Sequence, residues 1–217
     1  MDKKSKEDGK QPKPEHFHVC IFGSARIKEG DHAYGLVKEL AYLIAKESLD
    51  VVTGGGPGLM EAANKGHQEG KIKADTHSIG LNIKLPREQD ANPHLDIKKE
   101  FSTFSRRLDN FMVLSNVVVV APGGVGTLLE FFYTWQLVQV KHICKIPIIL
   151  LGDMWPELVE WIEKWPLKNK LLSEEDLKSI FLTNTCQESM EIIRTAYNEF
   201  KEGKKDLCLT YEKYRIN

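Results

Sequence analysis

Three glycine-bearing runs and two charged side chains carry the chemistry this sequence can perform. The runs are Phe22-Gly-Ser-Ala-Arg26, Gly54-Gly-Gly-Pro-Gly58 and Pro122-Gly-Gly-Val-Gly-Thr127, and each follows a short apolar segment. Glycine lets a backbone approach a ligand closely and take positive φ. The third run opens into a helical pattern, so its unpaired N–H groups and partial positive charge favour an anion. Gly123, Gly124, Val125, Gly126 and Thr127 are therefore the expected phosphate cradle, with the Thr127 hydroxyl as a cap or a phosphate ligand. Ser24 and Arg26 from the first run, with Gly55, Gly56, Gly58 and Met60 from the second, are the expected pocket walls. The competing reading is that the glycines only permit tight packing of helix on sheet.

Glu130 lies three residues beyond Thr127, one helical turn on, and can share a face with the anion site. It is either a capping and dipole partner of the helix or a carboxylate that handles a ribose and an attacking water. Arg107 stands in Phe104-Ser-Arg-Arg-Leu-Asp-Asn-Phe-Met112, where Leu108, Phe111 and Met112 set the buried side. Arg106 and Arg107 point different ways on a helix, so only one can face a site; both can equally face solvent.

The usual nucleotide motifs are absent. The dinucleotide fingerprint needs a small residue at Leu129 or at Leu59, and no G-x-x-x-x-G-K-[ST] run exists. His142 and Cys144 offer two ligands where zinc usually takes four, and no metal is expected; His16 and His18 read as surface groups.

The elements that must position these residues alternate. Apolar runs at 18–22, 49–53, 78–82, 117–121, 146–151 and 180–182 are separated by amphipathic stretches, and 96–100 is a candidate short strand. Strands apolar throughout imply a parallel sheet covered on both faces. The expected fold is a Rossmann-like, doubly wound α/β domain over residues 16–202, with about seven strands and no repeat or linker. In such sheets ligands sit beyond the carboxyl ends of the strands, where all three glycine runs fall. Residues 1–15 read as a disordered tail and 203–217 as a charged one. Trp155, Trp161 and Trp165 are expected to pack the sheet's edge or a dimer contact.

Bulk composition narrows the classes. Lys+Arg 30 against Asp+Glu 31 argues against a nucleic-acid binder with a large basic face. No apolar run approaches the roughly 20 residues that span a bilayer, so no membrane partner is expected. Four scattered cysteines without a C-x-x-C pair suggest a reducing, cytoplasmic setting.

At these residues the chain resembles the LOG family, long labelled "lysine decarboxylase-like". Pro122-Gly-Gly-Val-Gly-Thr-Leu-Leu-Glu130 matches its P-G-G-x-G-T-x-x-E signature, and Gly54-Gly-Gly-Pro-Gly-Leu-Met-Glu-Ala-Ala-Asn-Lys-Gly66 its second glycine motif. Phe22-Gly-Ser-Ala-Arg26 is similar to its first turn, and Ile79-Gly-Leu-Asn-Ile-Lys-Leu-Pro86 to a stretch of its longer bacterial members. The resemblance implies a homodimeric phosphoribohydrolase that cuts a purine nucleoside 5′-monophosphate, AMP or an N6-modified AMP as in cytokinin production, to free base and ribose 5-phosphate, without a cofactor. It assigns catalysis to Glu130 and Arg107. The family's Lys after that Arg is Leu108 here, its Met is Phe111, and a Glu of the helix after the signature is replaced near Tyr133. The alternative is a non-catalytic carrier of a phosphorylated nucleotide or cofactor, which has no use for an acid beside a bound anion. A pyridoxal-phosphate decarboxylase would need a Schiff-base lysine with an acidic partner, and no lysine stands in such a setting.

Overall fold

The computed structural model describes residues 16–84, 91–208 and 210–216. The expected N-terminal tail, and Leu85 and Pro86 of the stretch compared above, lie outside the described residues.

Seven parallel strands form one sheet in the order β4-β3-β2-β1-β5-β6-β7. These are β1 (His18–Phe22), β2 (Asp50–Thr53), β3 (Ser78–Ile83), β4 (Ile97–Phe101), β5 (Val117–Val120), β6 (Ile148–Leu151) and β7 (Ile180–Thr183). The principal helices are α1 (His32–Lys46), α2 (Leu59–Gly70), α3 (Phe104–Leu114), α4 (Val125–Gln139), α5 (Pro156–Ile162), α6 (Glu174–Leu177) and α7 (Cys186–Lys201). This is the Rossmann-like doubly wound α/β fold expected from the alternation of elements.

The sheet's two faces follow from the period of two along each strand. Val19, Ile21, Val117, Val119, Ile149 and Leu151 pack with α1, α2 and α7. Their neighbours Cys20, Phe22, Val118, Val120, Ile148 and Leu150 pack with α3, α4 and α5. Because both faces are covered, the four valines of β5 are all fully buried, each contributing about 1.5–3 kcal/mol of transfer free energy. β4 is the exception: it is an edge strand whose Lys98, Lys99 and Glu100 are exposed, which blunts that edge.

Winding begins at β1 and proceeds one way through β2 and β3, then resumes on the other side with β5. The crevice between the ends of β1 and β5 is thus a topological switch point, open to a ligand.

Three expectations need correction. Residues expected as a charged C-terminal tail pair with the outer edge of β7, where Leu182 N–H donates to the Tyr214 carbonyl (2.7 Å) and Ile216 N–H to the Ile180 carbonyl (3.2 Å). An uncovered strand edge offers a row of unpaired backbone groups, and this segment satisfies them while burying Leu207, Cys208 and Ile216. Trp155 is fully buried, but Trp161 and Trp165 are each half exposed, which corrects the edge-packing reading for those two, since helix periodicity carries them off the packed face. His18 is not a surface group: its side chain is 16% exposed and faces the buried carboxylate of Asp50.

Candidate active site

The three glycine turns are tied to one another by backbone hydrogen bonds. Ser24 N–H donates to the Pro122 carbonyl (3.0 Å), joining the turns after β1 and β5. Leu59 N–H donates to the Ser24 carbonyl (2.9 Å), joining the turn after β2. Gly58 sits at φ 71 with the Ser24 carbonyl where a Cβ would fall, so both its conformation and its neighbour require glycine.

Beneath the second turn lies a buried polar network. Thr53 Oγ1 accepts from Gly55 N–H (3.0 Å) and donates to Asn64 Oδ1 (2.8 Å). Asn64 Nδ2 donates to Ser78 Oγ (2.8 Å), while Asn92 Nδ2 reaches both Asn64 Oδ1 and the Gly56 carbonyl (2.9 Å each). Asn64 is wholly buried, so the network fixes the turn by partners that water cannot replace. Asn64 and Asn92 escaped the sequence reading; the only signal was a lone amide on the apolar face of α2.

The turns enclose a cavity of about 540 Å³, within the range that holds nucleotide-sized ligands. Of the residues singled out from sequence, Gly124, Val125, Gly126, Thr127 and Glu130 line it. So do Ser24, Arg26, Gly56, Met60 and Arg107. Gly55, Gly58 and Gly123 do not line it; they lie behind the wall, against Gly80, Ser24 and Thr127 respectively. Gly23, Ala25 and Gly54 of the same turns also line it, and Asn82, Ile83 and Phe104, which had carried no signal of chemistry in the sequence, complete the lining.

Gly124 is the N-cap of α4, and having no side chain it supplies no capping hydrogen bond. The bond from Leu128 N–H to the Gly124 carbonyl is 3.0 Å. The N–H groups of Val125, Gly126 and Thr127 therefore precede the ordinary helical ladder, at the cavity wall. Arg26, exposed at the rim, adds the positive charge.

One turn deeper, Glu130 meets Arg107 of α3, with Nη1 3.3 Å from Oε1. Arg107 is held from three sides: Nε donates to the Leu81 carbonyl (2.7 Å), the guanidinium lies 5.0 Å over the Phe111 ring, and Gly54 leaves the room that a Cβ would take from Nη2. Arg106 is exposed, which decides between the two arginines. Both charges are largely removed from water, the side chains being 11% and 12% exposed. Burial pushes the Glu130 carboxyl up to about 7 although Arg107 pulls it down. Burial likewise lowers the Arg107 pKa against the opposing pull of Glu130. The result is an acid that exchanges its proton near neutrality, one turn from the free N–H groups that open α4.

A family model described as "Possible lysine decarboxylase" matches residues 60–193, well over half of the chain. The chain belongs to this family, the LOG family. The matched stretch contains Met60, Arg107, the third glycine turn and Glu130, and leaves the first turn outside it. Of the differences from the LOG pattern, Leu108 is buried in the core and Phe111 carries Arg107 on its ring. Tyr133 points away from the pocket, its hydroxyl donating to Asp109 (2.6 Å).

Curated relatives from Escherichia coli named pyrimidine/purine nucleotide 5′-monophosphate nucleosidase are 28% identical over 141 residues, 62% of this chain. The match spans only 30% of their length. Among solved structures, the molybdenum cofactor binding protein of Rippkaea orientalis superposes with a TM-score of 0.65 at 18% identity, covering 85% of this chain and 99% of its own. The molybdenum cofactor carrier protein of Chlamydomonas reinhardtii gives 0.64 at 20% identity over the same shares. At such identities the likeness concerns the fold alone.

No lysine lines the LOG-family cavity among the described residues, so the decarboxylase label finds no Schiff-base partner there. The one grouping of possible metal ligands among the described residues, His16, Asp50 and His77, lies at the opposite end of the sheet.

Proposed function

We propose that the chain hydrolyses the N-glycosidic bond of a purine nucleoside 5′-monophosphate, AMP or an N6-modified AMP, to release the base and ribose 5-phosphate. The observation that carries this reading is the buried carboxylate of Glu130 one helical turn from the N–H groups of Val125, Gly126 and Thr127. A phosphate bound there anchors the nucleotide remotely from the bond being cut and aligns the sugar with the acid. Cleavage develops positive charge on C1′ and the ring oxygen, as in glycoside hydrolysis generally. Ionised Glu130 stabilises that charge and takes a proton from the attacking water, while the base departs with the bond's electron pair. Its pKa of about 7 suits a base working near neutral pH. Arg107 orients the carboxylate, and its remaining N–H groups face the ribose or phosphate.

The names of the Escherichia coli relatives support this class of reaction. The carrier alternative conflicts with Glu130: a protein that only holds an anion gains nothing from a desolvated acid beside it. A panel of nucleoside 5′-monophosphates, including N6-isopentenyl-AMP, assayed for free base alongside the dephosphorylated nucleosides, tests the proposal. Base should be released from monophosphates far faster than from nucleosides. Tight binding of AMP without any release of adenine would favour the carrier.

A further inference from the structure

At the amino ends of the strands, far from the glycine turns, three imidazoles converge on one carboxylate. His16 Nδ1 stands 2.9 Å from Asp50 Oδ2, His18 Nε2 3.5 Å from the same oxygen, and His77 Nδ1 3.9 Å from Oδ1. Topology makes the meeting unavoidable: His18 opens β1 in register with Asp50, which opens β2, and His77 immediately precedes β3. The His16, Asp50 and His77 ligand atoms all lie within 4.8 Å of one another.

Asp50 is the unusual member. It is 2% exposed, and although Oδ1 accepts from His77 N–H (2.7 Å), Oδ2 has no hydrogen-bond partner among the described residues. His16 Nδ1 approaches Oδ2 to 2.9 Å without hydrogen-bond geometry. A buried anionic oxygen left in that state is costly, and the backbone bond on Oδ1 fixes it facing the rings.

We propose that His16, His77 and Asp50 bind a zinc ion. Two imidazole nitrogens and a carboxylate oxygen are N/O donors of the kind zinc takes, and a water completes a four-coordinate set. Ligand atoms about 2.1 Å from a tetrahedral zinc stand about 3.4 Å apart; His16 Nδ1 at 2.9 Å from Oδ2 and His77 Nδ1 at 3.9 Å from Oδ1 lie either side of that value. The His77 N–H to Oδ1 bond supplies the outer support that orients a ligating carboxylate. The ion would tie the chain at residue 16 to the starts of β2 and β3, a structural role separate from the candidate active site.

The test uses the untagged full-length chain, stripped with chelator and titrated with zinc against a chromophoric chelator, with metal content read by elemental analysis. One zinc per chain should bind, raise the melting temperature, and give cobalt spectra with the intense visible bands of four-coordination. His16→Ala, at a half-exposed position that does not threaten folding, should weaken zinc binding by ~10–100-fold or more and abolish the zinc-dependent rise in melting temperature. Asp50→Asn keeps an oxygen for the His77 N–H and should lose zinc likewise. Failure of the wild-type chain to bind zinc stoichiometrically, or equal affinity in wild type and His16→Ala, overturns the proposal.

Discussion

Arg107 Nη1 and Glu130 Oε1 stand 3.3 Å apart, on helices brought together only by the winding of α3 before β5 and α4 after it. The pair is nearly dry, and its arginine is held from three sides by the Leu81 carbonyl, the Phe111 ring and the room left at Gly54. Breaking such a pair leaves an uncompensated buried charge, so the two side chains act as one unit.

Replacing Glu130 with Gln should lower turnover by at least ~10²-fold while AMP still binds, because the proposed phosphate contacts are backbone N–H groups. Single-turnover base release and equilibrium binding of AMP separate the two effects. Turnover equal to wild type would remove Glu130 from the reaction.

The pH dependence follows from the carboxyl near 7. Catalysis by the ionised form should make kcat/KM rise with pH and level off above about 7. Arg107→Gln removes the opposite charge that holds the carboxyl down, so the limb should move upward by roughly one pH unit or more. A merely structural arginine would lower activity without moving the limb.

Stability should respond in the opposite sense. A carboxyl whose pKa is raised in the fold binds more protons there than in the unfolded chain between about 4.5 and 7, so its contribution to stability is lost as pH rises through that window. Relative to the wild type, Glu130→Gln should therefore gain stability between pH 4 and pH 8, by at most ~3 kcal/mol. Denaturant melts at the two pH values measure the difference, and a constant gap would contradict the shift.

Gly54→Ala places a methyl group against Arg107 Nη2 and 2.6 Å from Met60 Sδ. The fold should survive, because the Met60 thioether is flexible, but the displaced guanidinium should cost up to ~10²-fold in kcat/KM. Circular dichroism and steady-state kinetics check both halves. Native activity in a folded variant would show that Arg107 tolerates the shift.

Asn64→Ala strands the Thr53 hydroxyl and one Asn92 N–H without their shared partner. It should destabilise the chain by about 1–3 kcal/mol and raise KM by loosening the turn at Gly55 and Gly56. Unfolding curves and AMP kinetics report the two effects, and an unchanged KM would confine Asn64 to stability.

Much was legible before any coordinates because it is local. Val117 to Val120 could only be a strand buried on both faces, and the glycines after it could only open a helix with exposed N–H groups; both follow from side-chain size and backbone freedom within a few residues. The alternation of such segments determined the doubly wound sheet and placed all three glycine turns at its carboxyl edge. Two matters were beyond the sequence because they join distant residues. Whether Arg106 or Arg107 faced the site, and whether Glu130 was a dipole partner or a desolvated acid, depended on how α3 packs against α4 and Leu81. His16 and His18 looked like surface groups, and His77 carried no signal, because nothing in their own neighbourhoods mentions Asp50. Parallel pairing of β1, β2 and β3 gathers them around a carboxylate that water cannot reach, and burial of that kind is a property of the packed sheet alone.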